Sequence, residues 1–254
     1  MWDPETYLRY ADERARPFLD LIARIGASDP RVVLDLGCGP GTLTVTLTHR
    51  WPAAHITGVD SSPHMIARAR ALQAGITFIQ ADLRDWSLPA DADVVVSNAT
   101  LQWIPEHTEL LRRWVSHLRP GSWLAFQVPG NFNAPSHRAL RELAESAPWR
   151  KALAGVLRKS DAVLEPAEYA ELLDDCVLDV WETTYLHLLP AGDDHPVLTW
   201  MEGTALRPVR AVLGDDQWGR FRAVLAERLA QEYPVRRGRV AFPFRRIFVV
   251  ARVQ

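Results

Sequence analysis

The chain has 254 residues, 48% of them hydrophobic and 24% charged, which is the composition of a globular protein with ample core. A formal net charge of −2 excludes bulk electrostatic attraction to nucleic acid. The two cysteines, Cys38 and Cys176, make no disulfide framework or metal cluster, no run approaches the ~18 apolar residues of a membrane span, and the charged N-terminal stretch lacks the apolar segment of a signal peptide. A cytoplasmic enzyme or binding protein is expected.

The first ~26 residues read as helix outside the core. Residues 31–36, RVVLDL, are a short apolar run, followed at once by GCGPG and by helical spacing over 42–51. HITGVD, 55–60, reads as a second strand. The helix over 61–72 opens with Ser before Pro, a favourable start. ITFIQAD, 76–82, and ADVVVSN, 92–98, read as the third and fourth strands. An amphipathic helix over 107–118 and a fifth strand, SWLAFQV at 122–128, complete the alternation. Strands alternating with helices imply a mostly parallel sheet, and continuously apolar strands imply one covered on both faces. After Gly130 the rhythm breaks. Residues 131–165 read as loop and helix, 166–174 as helix, 177–189 as a long sixth strand, 190–241 as mostly helical, and FRRIFVVARV as the closing strand. The expected organisation is a single domain over 1–254, with an N-terminal helical segment at 1–30 and a core at 31–130. Two helical insertions, 131–165 and 190–241, would form a cap.

DLGCGPG, from Asp35 to Gly41, lies between a strand and a helix, where glycines let the backbone pass close to a ligand. A dinucleotide fingerprint needs G-x-G-x-x-G. Here Gly37 and Gly39 are followed by Gly41, with Thr42 at the position the fingerprint reserves. Asp60 ends the second strand, where a carboxylate can take both hydroxyls of a ribose; a helix N-cap is the competing account. Asp82 ends the third strand, and Asn98 and Ala99 end the fourth. All stand at carboxyl ends of parallel strands, where open α/β sheets bind ligands.

This G-x-G-x-G loop, with an acid two residues before it and further acids at the next strand ends, resembles the class I S-adenosylmethionine (SAM)-dependent methyltransferases. The resemblance implies a doubly wound, seven-stranded sheet whose last strand is antiparallel. It implies SAM as cofactor, with S-adenosyl-L-homocysteine as product. The residues it marks for the cofactor are Asp35, Gly37, Cys38, Gly39, Gly41, Asp60, Ser61, Asp82, Leu83, Asn98 and Ala99, with Asp82 toward the adenine.

The acceptor is less legible. No HxH, HExxH or CxxC pattern suggests a metal. No residue stands out as a general base; Tyr185 and His187 on the sixth strand, and Tyr7 and Tyr10 near the N-terminus, are scattered candidates. A carboxylate acceptor needs none, because with a pKa of about 4 it is ionised at neutral pH. In the class I topology the last strand begins at the carboxyl edge of the sheet. Arg245 and Arg246 stand at that beginning, and successive strand residues face opposite sides, so one of the two is expected to face the cleft.

Over nearly its whole length the chain is similar to the bacterial trans-aconitate 2-methyltransferase family. The similarity runs from WDPETYLRYADERARPF through VVLDLGCGPGTLT, VVSNATLQWIPEH and QVPGNF to WETTYLH, GTALRPV and the final strand. That family's aromatic–x–Arg–aliphatic–Phe pattern falls on Phe244, Arg246, Ile247 and Phe248, which favours Arg246 as the cleft-facing arginine. The resemblance implies a small tricarboxylate as substrate and a monomethyl ester as product. Arg246 and Arg207 are the candidates for holding its carboxylates, with Arg245, Tyr7, Trp2, Trp103, Tyr185 and His187 as further pocket residues. Arg14 and Arg16 fit a solvated helix face better. Two rivals stay open: a carboxyl methyltransferase acting on a malonyl thioester on a carrier protein, docked by the RRGR stretch at 236–239, and a SAM-binding protein without turnover.

Overall fold

The structure is a computed structural model and describes residues 11–157 and 162–254. Trp2, Tyr7 and Tyr10 lie outside the described residues, as does the side chain of Arg14.

The chain divides into two compact units. The first covers Ala15–Pro129, Val163–Thr183 and Arg246–Gln254; the second contains Gly130–Ala162 and Thr184–Arg245. In chain order the elements are α1 (Ala11–Ala23), β1 (Val32–Leu36), α2 (Thr44–Arg50), β2 (His55–Asp60), α3 (Pro63–Arg70), β3 (Thr77–Gln80), β4 (Val94–Asn98), α4 (His107–His117) and β5 (Trp123–Pro129). There follow α5 (Pro135–Glu145), α6 (Arg150–Leu153), α7 (Pro166–Leu172), β6 (Cys176–Pro190), α8 (Pro196–Glu202), α9 (Arg207–Val212), α10 (Asp215–Glu232) and β7 (Arg239–Val253).

One seven-stranded sheet runs in the order β3-β2-β1-β4-β5-β7-β6. The β1–β2, β1–β4, β2–β3 and β4–β5 pairs are parallel, and β7 lies antiparallel to β5. The strand order reverses beside β1, the topological switch point at which such sheets bind ligands. Registered neighbours share a face. Asp35 pairs with Val96, Asn98 with Gln127, Gln127 with Phe248, and Pro129 with Arg246, so Asp35, Asn98, Gln127 and Arg246 lie on one side of the sheet. The other side carries Leu34, Leu36, Val95, Phe126, Ile247 and Val249, packed in a core with Leu110, Leu111 and Trp114 of α4 and Tyr169 of α7.

Several boundaries differ from the sequence reading. The third strand stops at Gln80 rather than Asp82, because Asp82 folds onto its own backbone: its Oδ1 accepts from the Arg84 amide at 2.9 Å, and its carbonyl accepts from Trp86 at 2.9 Å. A local side-chain acceptor thus outcompetes the ladder. The last strand starts at Arg239, not Phe244, because a tight turn with positive φ at Arg237 and Gly238 folds the chain back. The helix after the second strand is capped by Ser62, whose Oγ accepts from Met65 at 3.3 Å, with Pro63 in its first turn. That leaves Asp60 outside the N-cap role.

The second unit is mainly helical. Its core gathers Leu140 and Leu143 of α5, Trp200 and Met201 of α8, and Phe221, Leu225 and Leu229 of α10 around Val240, Phe242 and Phe244.

Candidate active site

The loop after β1 is held by its neighbours in the first unit. Gly37, Gly39 and Gly41 all have positive φ, a conformation that disfavours any side chain. The amides of Gly37 and Cys38 donate to the Val59 carbonyl at 2.7 and 3.0 Å. A Cβ on Gly37 would lie 2.0 Å from the Thr100 Oγ1, whereas one on Gly39 would meet nothing within 4 Å. The crest of the loop is therefore open backbone, which a ligand can approach.

Two carboxylates fasten this loop. Asp35 is buried and accepts from the Thr44 hydroxyl at 2.6 Å. Burial, with Asp60 adding to it, pushes its pKa up to about 6 against the lowering effect of Thr44. Asp60, half-buried at the end of β2, accepts from the Gly39 amide at 3.0 Å through Oδ2 and from the Ser62 amide at 2.8 Å through Oδ1. Each carboxylate oxygen has two acceptor positions, so one on each oxygen remains for a diol.

Asp82 is differently placed. The Arg84 guanidinium grips both of its oxygens, at 3.0 Å to Oδ1 and 2.6 Å to Oδ2, and this bonding holds its pKa down to about 2. An adenine amino group would share these oxygens with Arg84. Leu83 sends its side chain into the core, which leaves its backbone for any ligand. Ser61 is exposed. Cys38 is buried against Ile66, Ala69 and Phe78, and burial pushes its thiol up, away from thiolate chemistry.

At the end of β4 the half-buried Asn98 has no partner for its Oδ1 among the described residues. Ala99 takes a positive φ, and its carbonyl accepts from the buried Gln102 at 2.5 Å. Trp103, in a 3-10 turn over Leu101–Trp103, is 45% exposed.

The arginine pair separates as strand alternation requires. Arg246 is 6% exposed, lies on the Asp35 face and donates from Nη1 to the Gln127 Oε1 at 3.3 Å. Arg245 is half-buried with the opposite parity, and its Nη1 donates to the Gly130 carbonyl at 3.4 Å.

The first unit therefore brings together the glycine loop, Asp35, Asp60, Asn98, Ala99 and Arg246. Arg207, Tyr185 and His187 belong to the second unit. Arg207 is exposed at the start of α9, and the buried His187 stacks on Trp200 with ring centroids 4.8 Å apart and faces Tyr185 at 6.3 Å. Sequence reasoning missed Thr44, Thr100 and Gln127. Only Gln127 left a signal, as a lone polar residue in an otherwise apolar strand. Among the described residues no cluster of His, Cys, Asp or Glu is placed to hold a metal, and no helix is long and apolar enough to cross a membrane.

Residues 33–121 match a methyltransferase domain model. A trans-aconitate 2-methyltransferase from Mycobacterium sp. (strain KMS) is 58% identical over 256 aligned positions, covering 99% of each chain. The trans-aconitate 2-methyltransferase from Mycobacterium tuberculosis (strain ATCC 25177 / H37Ra) is 52% identical, over 100% of this chain and 97% of its own. Among solved structures, the YcgJ protein of Bacillus subtilis superposes with a TM-score of 0.62 at 11% identity, covering 95% of this chain and 99% of that one. A Haemonchus contortus phosphoethanolamine N-methyltransferase, solved in complex with S-adenosyl-L-methionine, superposes with a TM-score of 0.55 at 15% identity, covering 94% of this chain and 53% of that one. These two share the fold. An open loop crest at Gly39, a strand-end acid with acceptor capacity to spare and an orphan Asn98 oxygen suit a methyl-donor nucleoside, and with the full-length likeness they lead to one conclusion: the chain belongs to the trans-aconitate 2-methyltransferase family, and its methyl donor is S-adenosyl-L-methionine.

Proposed function

We propose that the protein methylates one carboxylate of trans-aconitate, or of a closely related small tricarboxylate, to give a monomethyl ester. Relatives 52% and 58% identical carry that name. Within this chain the reading rests on Arg246, a buried guanidinium on the same sheet face as Asp35 and Asn98.

S-adenosyl-L-methionine supplies an electrophilic methyl carbon on a sulfonium, whose carbon–sulfur bond breaks as the ester oxygen–carbon bond forms, leaving S-adenosyl-L-homocysteine. The protein then has no proton to remove, since the acceptor is already ionised. Its residues bind and align. The loop from Gly37 to Gly41 presents backbone to the donor, and Asp60 accepts from the ribose hydroxyls with its remaining lone pairs. Arg246 holds a carboxylate of the acceptor.

A trianion needs such partners. At an effective dielectric near 20 a close pair contributes up to about 4 kcal/mol, against about 1 kcal/mol in water. A planar guanidinium also matches a carboxylate in two-point geometry.

The test is transfer of labelled methyl from S-adenosyl-L-methionine to a panel: trans- and cis-aconitate, citrate, isocitrate and a carrier-bound malonyl thioester. Trans-aconitate should have the highest kcat/KM. Label on the thioester alone, or on none of them, rejects the reading.

A further inference from the structure

Gln127 is 1% exposed in the middle of the sheet, flanked in β5 by the buried Leu124, Ala125, Phe126 and Val128. Its Oε1 accepts from the Arg246 Nη1 at 3.3 Å. A guanidinium has donors and no acceptor, so the amide oxygen must face Arg246 and the NH2 must face elsewhere. The usual ambiguity of amide orientation is thereby removed. That Nε2 has no hydrogen-bond partner among the described residues. A buried donor left so is costly, and native proteins rarely tolerate one without a use for it.

The surroundings define what it can bind. Gln127 shares its sheet face with Arg246, so two donors, one of them cationic, stand side by side. On the neighbouring strand Asn98 is its register partner, and the Asn98 Oδ1 is an acceptor also without a partner among the described residues. Adjacent neutral and cationic donors suit a carboxylate; an acceptor beside them suits the hydroxyl or ammonium of a neighbouring molecule.

We infer that Gln127 binds the acceptor carboxylate together with Arg246: its Nε2 donates to a carboxylate oxygen while its Oε1 orients the guanidinium. This inference rests on the proposed reading that Arg246 faces the acceptor. Gln127 would then help to set specificity, since its neutral amide adds a donor beside Arg246 without adding a charge of its own.

Two variants test it. Gln127→Glu keeps the shape but supplies an anion that pairs with Arg246 from within. Gln127→Leu removes the donor and leaves nothing buried and polar in its place. Wild type is assayed first with trans-aconitate; no methylation there removes the parent reading and this inference with it. Given wild-type activity, Gln127→Glu should keep its Tm and its S-adenosyl-L-methionine Kd while the trans-aconitate KM rises about a hundredfold, and Gln127→Leu should raise KM about tenfold. Unchanged KM in Gln127→Glu overturns the inference, whether or not Gln127→Leu folds. So does a loss confined to S-adenosyl-L-methionine affinity, which would assign the amide to the cofactor. A lowered Tm with wild-type KM in both variants would reduce Gln127 to a structural or water-bridging group, and would equally overturn it.

Discussion

The carboxylate of Asp60 holds the amide of Gly39 at 3.0 Å. Its other oxygen holds the Ser62 amide at 2.8 Å, so the acid at the end of β2 latches the glycine loop to the start of α3. The residue marked for the ribose thus also shapes the glycine loop.

Asp60→Ala removes both tasks. S-adenosyl-L-methionine affinity, measured by calorimetry, should fall by about ten- to a hundredfold. Asp82→Ala should lower it by less than about tenfold, because Arg84 already occupies both Asp82 oxygens and little acceptor capacity is lost. Equal losses in the two variants would contradict this ranking.

Gly37→Ala tests the geometry of the loop. The new Cβ would stand 2.0 Å from the Thr100 Oγ1 in a backbone with φ of +82°. Left-handed strain and overpacking together should cost about 2–5 kcal/mol, read as a lowered denaturation midpoint. Gly39→Ala pays only the backbone strain, because its Cβ would meet nothing, so it should fold better than Gly37→Ala while weakening cofactor binding by closing the open crest.

Asp35 predicts a pH dependence of stability. Its folded pKa, raised by burial to about 6 from 3.8, means that the folded state holds a proton which the unfolded state has already lost. The contribution of Asp35 to stability should therefore be full below about pH 4, fall as pH rises through the interval up to about 6, and level off above it. The loss is at most about 3 kcal/mol. Asp35→Asn keeps an oxygen for the Thr44 hydroxyl and cannot titrate, so its stability should be flatter across that interval in chemical denaturation series.

Arg246→Ala should raise the acceptor KM, or lower turnover, by about a hundredfold or more, with S-adenosyl-L-methionine affinity within about threefold of wild type. Arg246→Lys keeps the charge but not the planar fork, and should recover only part of the loss. A collapse of cofactor binding in Arg246→Ala would place the guanidinium against the donor instead.

Much of this was legible in the chain. Parallel strands covered on both faces appear as unbroken apolar runs such as VVLDL and VVVSN, and the glycines and acids at their ends mark the switch-point edge because they interrupt those runs. The alternation of Arg245 and Arg246 was legible too, since strand geometry sends neighbours to opposite faces. The end of the third strand was not: Asp82 reads as the last letter of a β pattern, and only its bonds to the Arg84 backbone and guanidinium end the ladder at Gln80.

The sequence by itself determined which residues reach the carboxyl edge of the sheet, because strand period and turn chemistry are local. The tertiary structure decided what they meet there. Gln127 lies 119 positions from Arg246, and they touch because β7 inserts antiparallel beside β5. Strand order is settled by the packing of the whole sheet, and no short-range pattern around Gln127 encodes it.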